Sequence, residues 1–174
     1  MNEIREIMTK AVVGKGKKLI RLRNNLNPEN EAFSILGCWV INHEFDATLD
    51  GTTVNLDGTL EVNIWYSYAN NTRTEIARQV FRYHETVKTR QVVKDVSSNK
   101  DIIVRVLQQP TCTNAIINNN VIEVEIVFEV LAEIIGETKM MVTVFTNMEP
   151  SETIEDNFEN EINENFIKER KIVG

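Results

Sequence analysis

The chain has 174 residues, and 19 Lys+Arg against 26 Asp+Glu give it a net charge of −7. That length fits one domain, or one domain with an extension, and 42% hydrophobic residues can fill a core without help from metals or disulfides. The acidic balance argues against general nucleic-acid binding, which needs a basic face to displace counterions, and no run of about 18 apolar residues offers a membrane span.

The first residues lack the apolar stretch of a secretory signal. Residues 3–13 are rich in Ile and Val and predict a strand, ended by a flexible basic turn at Gly14, Lys15 and Gly16. These glycines do not complete the GxxxxGK[ST] pattern of a phosphate loop. Residues 10–23 carry Lys10, Lys15, Lys17, Lys18, Arg21 and Arg23 and no acid. Residues 33–46 are apolar and aromatic and predict a second strand. On it His43 and Phe45 would face one way and Glu44 and Asp46 the other, which is a poor chelating set.

The clearest strand signal is 54–68. Val54, Leu56, Leu60, Val62, Ile64, Tyr66 and Tyr68 fall on one face, and Asn55, Asp57, Thr59, Glu61, Asn63 and Ser67 on the other. Asp57–Gly58 is a possible break into two strands. Trp65 points away from Tyr66 and Tyr68, and an exposed Trp suits a contact on a neighbouring subunit. Weaker strands are predicted over 76–93 and over 102–107, the latter stopping at Gln108, Gln109 and Pro110. Over 122–134 the even residues are apolar, while Glu123, Glu125, Glu129 and Glu133 share the other face. Like charges so arranged must be wet or must meet cations. A last strand follows over 138–146. Turn signals stand at Asn27–Pro28, Asp50–Gly51, Asn70–Asn71, Ser97 to Asn99, Pro110 and Gly136; the 20 Asn also cluster at Asn118 to Asn120.

After Pro150 the pattern changes to Ile154, Phe158, Ile162 and Phe166, an apolar stripe of helical period among acids. Residues 149–164 hold seven acids and no base. Head-to-tail attraction is therefore expected between Lys15, Lys17, Lys18 and Arg21 and tail acids such as Glu155 and Glu159, within the chain or between copies. These features predict a mainly β fold, an antiparallel, jelly-roll-like sandwich over 1–148, with a short helical or extended acidic tail over 149–174. Cys38 and Cys112 make no framework or metal knuckle and are expected as reduced, small core residues of a chain made inside the cell. No catalytic, cofactor or metal set is evident.

The segments themselves resemble a known family. They are Arg5 to Ile7 with Thr9 to Val13; Ser34 to Gly37 with Trp39, Ile41 to His43, Asp46 and Ala47; Trp65 to Ala69 with Asn71 and Thr72; Val106 to Pro110 with Cys112; and Leu131 to Glu133 with Gly136 to Lys139. In this order they resemble the spore coat protein E family, outer-coat morphogenetic proteins of endospore-forming bacteria. The resemblance implies a non-enzymatic scaffold, made in the mother-cell cytoplasm and placed on the spore coat. Such a protein self-associates into homo-oligomers and lattices and recruits other coat proteins. The family's tail is a dense acidic run, whereas here apolar residues and Asn interrupt it and Lys168, Arg170 and Lys171 follow, so docking on a subunit is expected instead. Self-association would then use Trp65, Tyr66, Tyr68 and the Ile154, Phe158, Ile162 and Phe166 stripe. A rival reading is a glycan-binding sandwich with Trp65 and Tyr68 as stacking platforms.

Overall fold

The computed structural model describes residues 2–94 and 98–145. Seven strands form there: β1 (Asn2–Leu26), β2 (Ala32–Asp50), β3 (Thr53–Tyr68), β4 (Arg73–Lys88), β5 (Arg90–Gln91), β6 (Asp101–Asn118) and β7 (Val121–Phe145). They lie in a four-stranded sheet, ordered β5-β1-β7-β6, and a three-stranded sheet, ordered β2-β3-β4. The sandwich expected from the alternation is thus present, with connectivity simpler than a jelly roll: β2, β3 and β4 run consecutively as a meander. The described residues fall into two compact units, one within residues 8–139 and one formed by residues 2–7 with 140–145. In the second unit the described residues carry exposed Ile4, Met141 and Phe145.

The period-2 pattern dictates the core. Val54, Leu56, Leu60, Val62, Ile64 and Tyr66 of β3 are fully buried, as are Ile122, Ile126, Phe128, Val130 and Ala132 of β7. Each such aliphatic or aromatic side chain stabilises the fold by roughly 1.5–3 kcal/mol relative to leaving it in water. Turn chemistry sets the register. Asn119 and Asn120, both at positive φ, close the β6–β7 hairpin between Asn118 and Val121, which pair. Left-handed backbone at both central residues is what a type I′ turn requires, and Asn tolerates it. Gly51, at φ 60°, turns β2 into β3. Ala69, Asn70 and Asn71 take positive φ between β3 and β4, where the Thr72 hydroxyl donates to the Ala69 carbonyl at 2.6 Å.

Several expected breaks are absent. Gly14 to Gly16 is no turn; β1 runs through it. A Cβ on Gly16 would overlap the Lys88 carbonyl and crowd the Thr89 backbone, so glycine permits a close approach there. β3 is unbroken at Gly58, because the Tyr83 ring occupies the space a side chain would need. β6 continues through Pro110, and β7 continues through Gly136. Pro110 sits where β6 slips register between Gln108 and Thr111; a terminal strand tolerates a missing N–H at such a bulge.

The cysteines also depart from expectation. Cys38 on β2 and Cys112 on β6 form a disulfide with their Cα atoms 6.0 Å apart. Both half-face the core, as predicted for small apolar residues. The reason for the bond lies in tertiary structure: the two strands end their respective sheets and pack together.

Two tests follow. Gly16→Ala should cost about 1–3 kcal/mol in urea denaturation, because backbone rather than a side-chain tip must move. Replacing both cysteines by Ala should cost about 2–4 kcal/mol, and the unaltered protein in strong reductant should show a similar loss.

Candidate assembly surface

The polar groups do not converge on a reactive centre. His43 and Phe45 point inward and Glu44 and Asp46 outward, as the alternation predicted. The His43 Nε2 lies 2.7 Å from the Tyr83 hydroxyl, with the Phe128 ring edge-on at 5.0 Å. Burial lowers the His43 pKa and pushes Tyr83 up to about 12, with the nearby Glu85 charge adding to the latter. This is a neutral hydrogen-bonded pair inside an aromatic cluster. His84 is exposed and its Nδ1 lies 2.6 Å from Asp57. No group of three or more His, Cys, Asp or Glu among the described residues could hold a metal ion. A recess of about 570 Å³ is lined by Glu44, Asp46, Asp57, Arg82 and Tyr83 among others. Neither sulfur is available as a nucleophile while the disulfide stands.

The outer face of the four-stranded sheet carries an ionic ladder. On β7, Glu125 accepts from Arg21 at 2.6 Å and Arg23 at 3.0 Å, and Glu129 meets Lys17 at 3.0 Å. Glu133 meets Arg105 of β6 at 2.6 Å and Lys15 at 3.5 Å. The Arg23 hydrogen bond, above all, holds the Glu125 carboxyl below its usual range, with Arg21 and Thr113 adding to it against the cost of desolvation. Lys18 turns to β4 instead, donating to Glu85 at 2.7 Å and to the Thr86 carbonyl at 2.8 Å. The stripe of like charges read from β7 therefore does meet cations. Lys15, Lys17, Lys18 and Arg21, expected to attract the tail, each have a carboxylate partner within the sandwich. Glu155, Glu159 and the stripe of Ile154, Phe158, Ile162 and Phe166 lie outside the described residues.

The outer face of the three-stranded sheet is different. Trp65 is 44% exposed there, as its parity predicted. Its cross-strand partners are Gly37 on β2 and Ile76 on β4. Trp39 pairs with Asn63 and is 40% exposed; its ring is the nearest group to a Cβ built on Gly37, at 3.6 Å. Ile41 and Val80 flank Glu61, at 42% and 60% exposure. Asn63 is itself only 3% exposed. Trp39, Ile41, Trp65, Ile76 and Val80 thus form one apolar patch, a contiguity that single isolated surface apolars do not show. Only Trp65 was singled out by sequence. The others required knowledge of which strands flank β3, and bulges in β2 had shifted the parity of its residues.

Tyr66 and Tyr68 do not belong to this patch. Tyr66 is fully buried, donates to Glu75 at 2.6 Å and accepts from the Asn30 amide at 3.3 Å, so it is a core residue and not an assembly contact. The Tyr66 hydroxyl, as donor, in turn holds Glu75 below its usual range, with Asn30 adding. Tyr68 is partly buried against the same core. Trp65 and Tyr68 therefore lie on opposite faces and cannot make one stacking platform for a sugar.

The sequence model of the family described as outer spore coat protein E (CotE) matches residues 3–170, nearly the whole chain. The chain belongs to the outer spore coat protein E family. It is accordingly a protein of the spore coat, as the resemblance of its segments implied. No curated protein and no solved structure matches it. The family match spans both the patch-bearing sheet and the ionic ladder.

The half-buried His43 has a pH signature. Its folded pKa lies below that of the unfolded chain, so the unfolded state binds the extra proton first and stability falls as pH drops below about 6.5. His43→Gln keeps a hydrogen-bonding partner for Tyr83 but does not titrate. Urea denaturation of this variant should show a flatter stability profile between about pH 6.5 and 5 than the unaltered protein; equal slopes would remove His43 from the account.

Proposed function

We propose that this protein is a self-assembling morphogenetic scaffold of the spore's outer coat, and that it recruits other coat proteins. On this reading it is made in the mother-cell cytoplasm and then takes its place in the coat. Membership in the family supports the coat role. The observation that carries self-association is the patch of Trp39, Ile41, Trp65, Ile76 and Val80, left open on a sheet whose opposite face packs against the core. An apolar patch of this kind on a rigid, well-packed layer suits a protein partner better than a small ligand: it is a sheet surface, and it includes two large aromatic side chains. The terminal strands β4 and β6 offer backbone groups that pair readily with another chain unless covered. The tail stripe of Ile154, Phe158, Ile162 and Phe166 adds a second contact on another subunit.

Light scattering of the full chain at tens of micromolar checks this. Oligomers are expected, and a strict monomer would overturn the proposal. Cutting after residue 148 should lower the assembly order; identical oligomers would remove the tail from it.

A further inference from the structure

Within the self-association reading, on which this step rests, the structure assigns the partner and the pairing of the aromatic face. We propose that the outer face of β2-β3-β4 docks on the same face of a second copy, through an isologous two-fold contact in which Arg78 of each copy meets Glu61 of the other.

The argument is one of leftover charge. Cations of the ionic ladder, Lys15, Lys17, Lys18, Arg21, Arg23 and Arg105, all have carboxylate partners. Arg78 has no ion-pair or hydrogen-bond partner among the described residues, although it stands in the middle of the patch, opposite Asn63 and between Ile76 and Val80 on its strand. Glu61 stands two residues away along β3, opposite Val80 and Ile41. Among the described residues it accepts from the Asn42 and Asn63 side-chain amides, each at 3.1 Å, and meets no cation. The patch thus holds the cation Arg78 and the anion Glu61, which do not pair with each other. A two-fold axis in the plane of contact, midway between them, sets each against its opposite in the other copy. That is the self-complementarity an isologous interface needs. A partner with a single net sign would leave one of the two charges opposed and desolvated, at a cost.

The rest of the face is built for the same contact. Two sheets pack with their surfaces about 10 Å apart, and the interdigitating side chains fill that gap. Trp39 and Trp65 give large rigid area, and Gly37, opposite Trp65, puts no side chain beside them. Asn63 is already dry beneath its neighbours and hydrogen-bonded to Glu61, so docking strands no polar group there.

Sedimentation velocity on the full chain across a concentration series is the test, with circular dichroism to verify folding. Arg78→Glu and Glu61→Arg should each weaken association by about tenfold or more, since each places like charges face to face. The double variant E61R/R78E should recover to within about threefold of the unaltered protein. A double variant as weak as the singles, or singles with unchanged association, would overturn the pairing while leaving self-assembly in place. Should truncation after residue 148 abolish association while the charge variants do nothing, the tail covers the face and the two-fold contact is wrong. An unaltered protein that stays monomeric sinks the wider reading instead.

Discussion

The whole arrangement rests on the burial of one side of β3 against one side of β7. Strict alternation commits every second residue of both strands to a dry interior, and a slip of one residue would bring Asn, Asp and Glu inside. Other features accommodate that constraint. The Asn turns hold hairpin register, Gly58 yields its space to Tyr83, and His43 is kept neutral because it shares the interior with Phe45, Phe128 and Tyr83. The alternation also fixes which residues must face outward, and there the two sheets diverge.

On the four-stranded sheet, carboxylates of β7 and cations of β1 and β6 satisfy one another across neighbouring strands. Exposed pairs of this kind contribute little each, roughly 0–1 kcal/mol. Their larger effect is to keep an otherwise repulsive row of acids compatible with a single strand. The three-stranded sheet has no such ladder over its aromatic half. Its apolar side chains are not needed by the core, and its two central charges are not needed by each other. One face has its acids paired internally, and the other carries exposed aromatic and aliphatic side chains around Arg78 and Glu61.

Much of this was legible in the residues, wherever the signal was local. The 54–68 and 122–134 alternations mark both central strands and the outward turn of Trp65, and the parity of 43–46 separates His43 and Phe45 from Glu44 and Asp46. Breaks were overread because Gly and Pro were taken as punctuation. In long strands Gly16 and Gly58 serve close packing, and Pro110 sits at a bulge of a terminal strand. Non-local facts stayed hidden. The Cys38–Cys112 bond, the burial of Tyr66 under its bond to Glu75, and the meeting of Trp39 with Trp65 all depend on which strands become neighbours. No short window of sequence carries that information.

The covalent link has a mechanical corollary. Cys38 and Cys112, at a sequence separation of 74, enclose β3, β4 and β5 in one ring. Tension applied between the outer arms of the chain is routed across the sulfurs and bypasses that ring. About 250 Å of contour is thereby withheld from stretching. The tryptophans lie within that ring, beside the load path, so a swelling or drying shell could strain the chain without distorting its aromatic face.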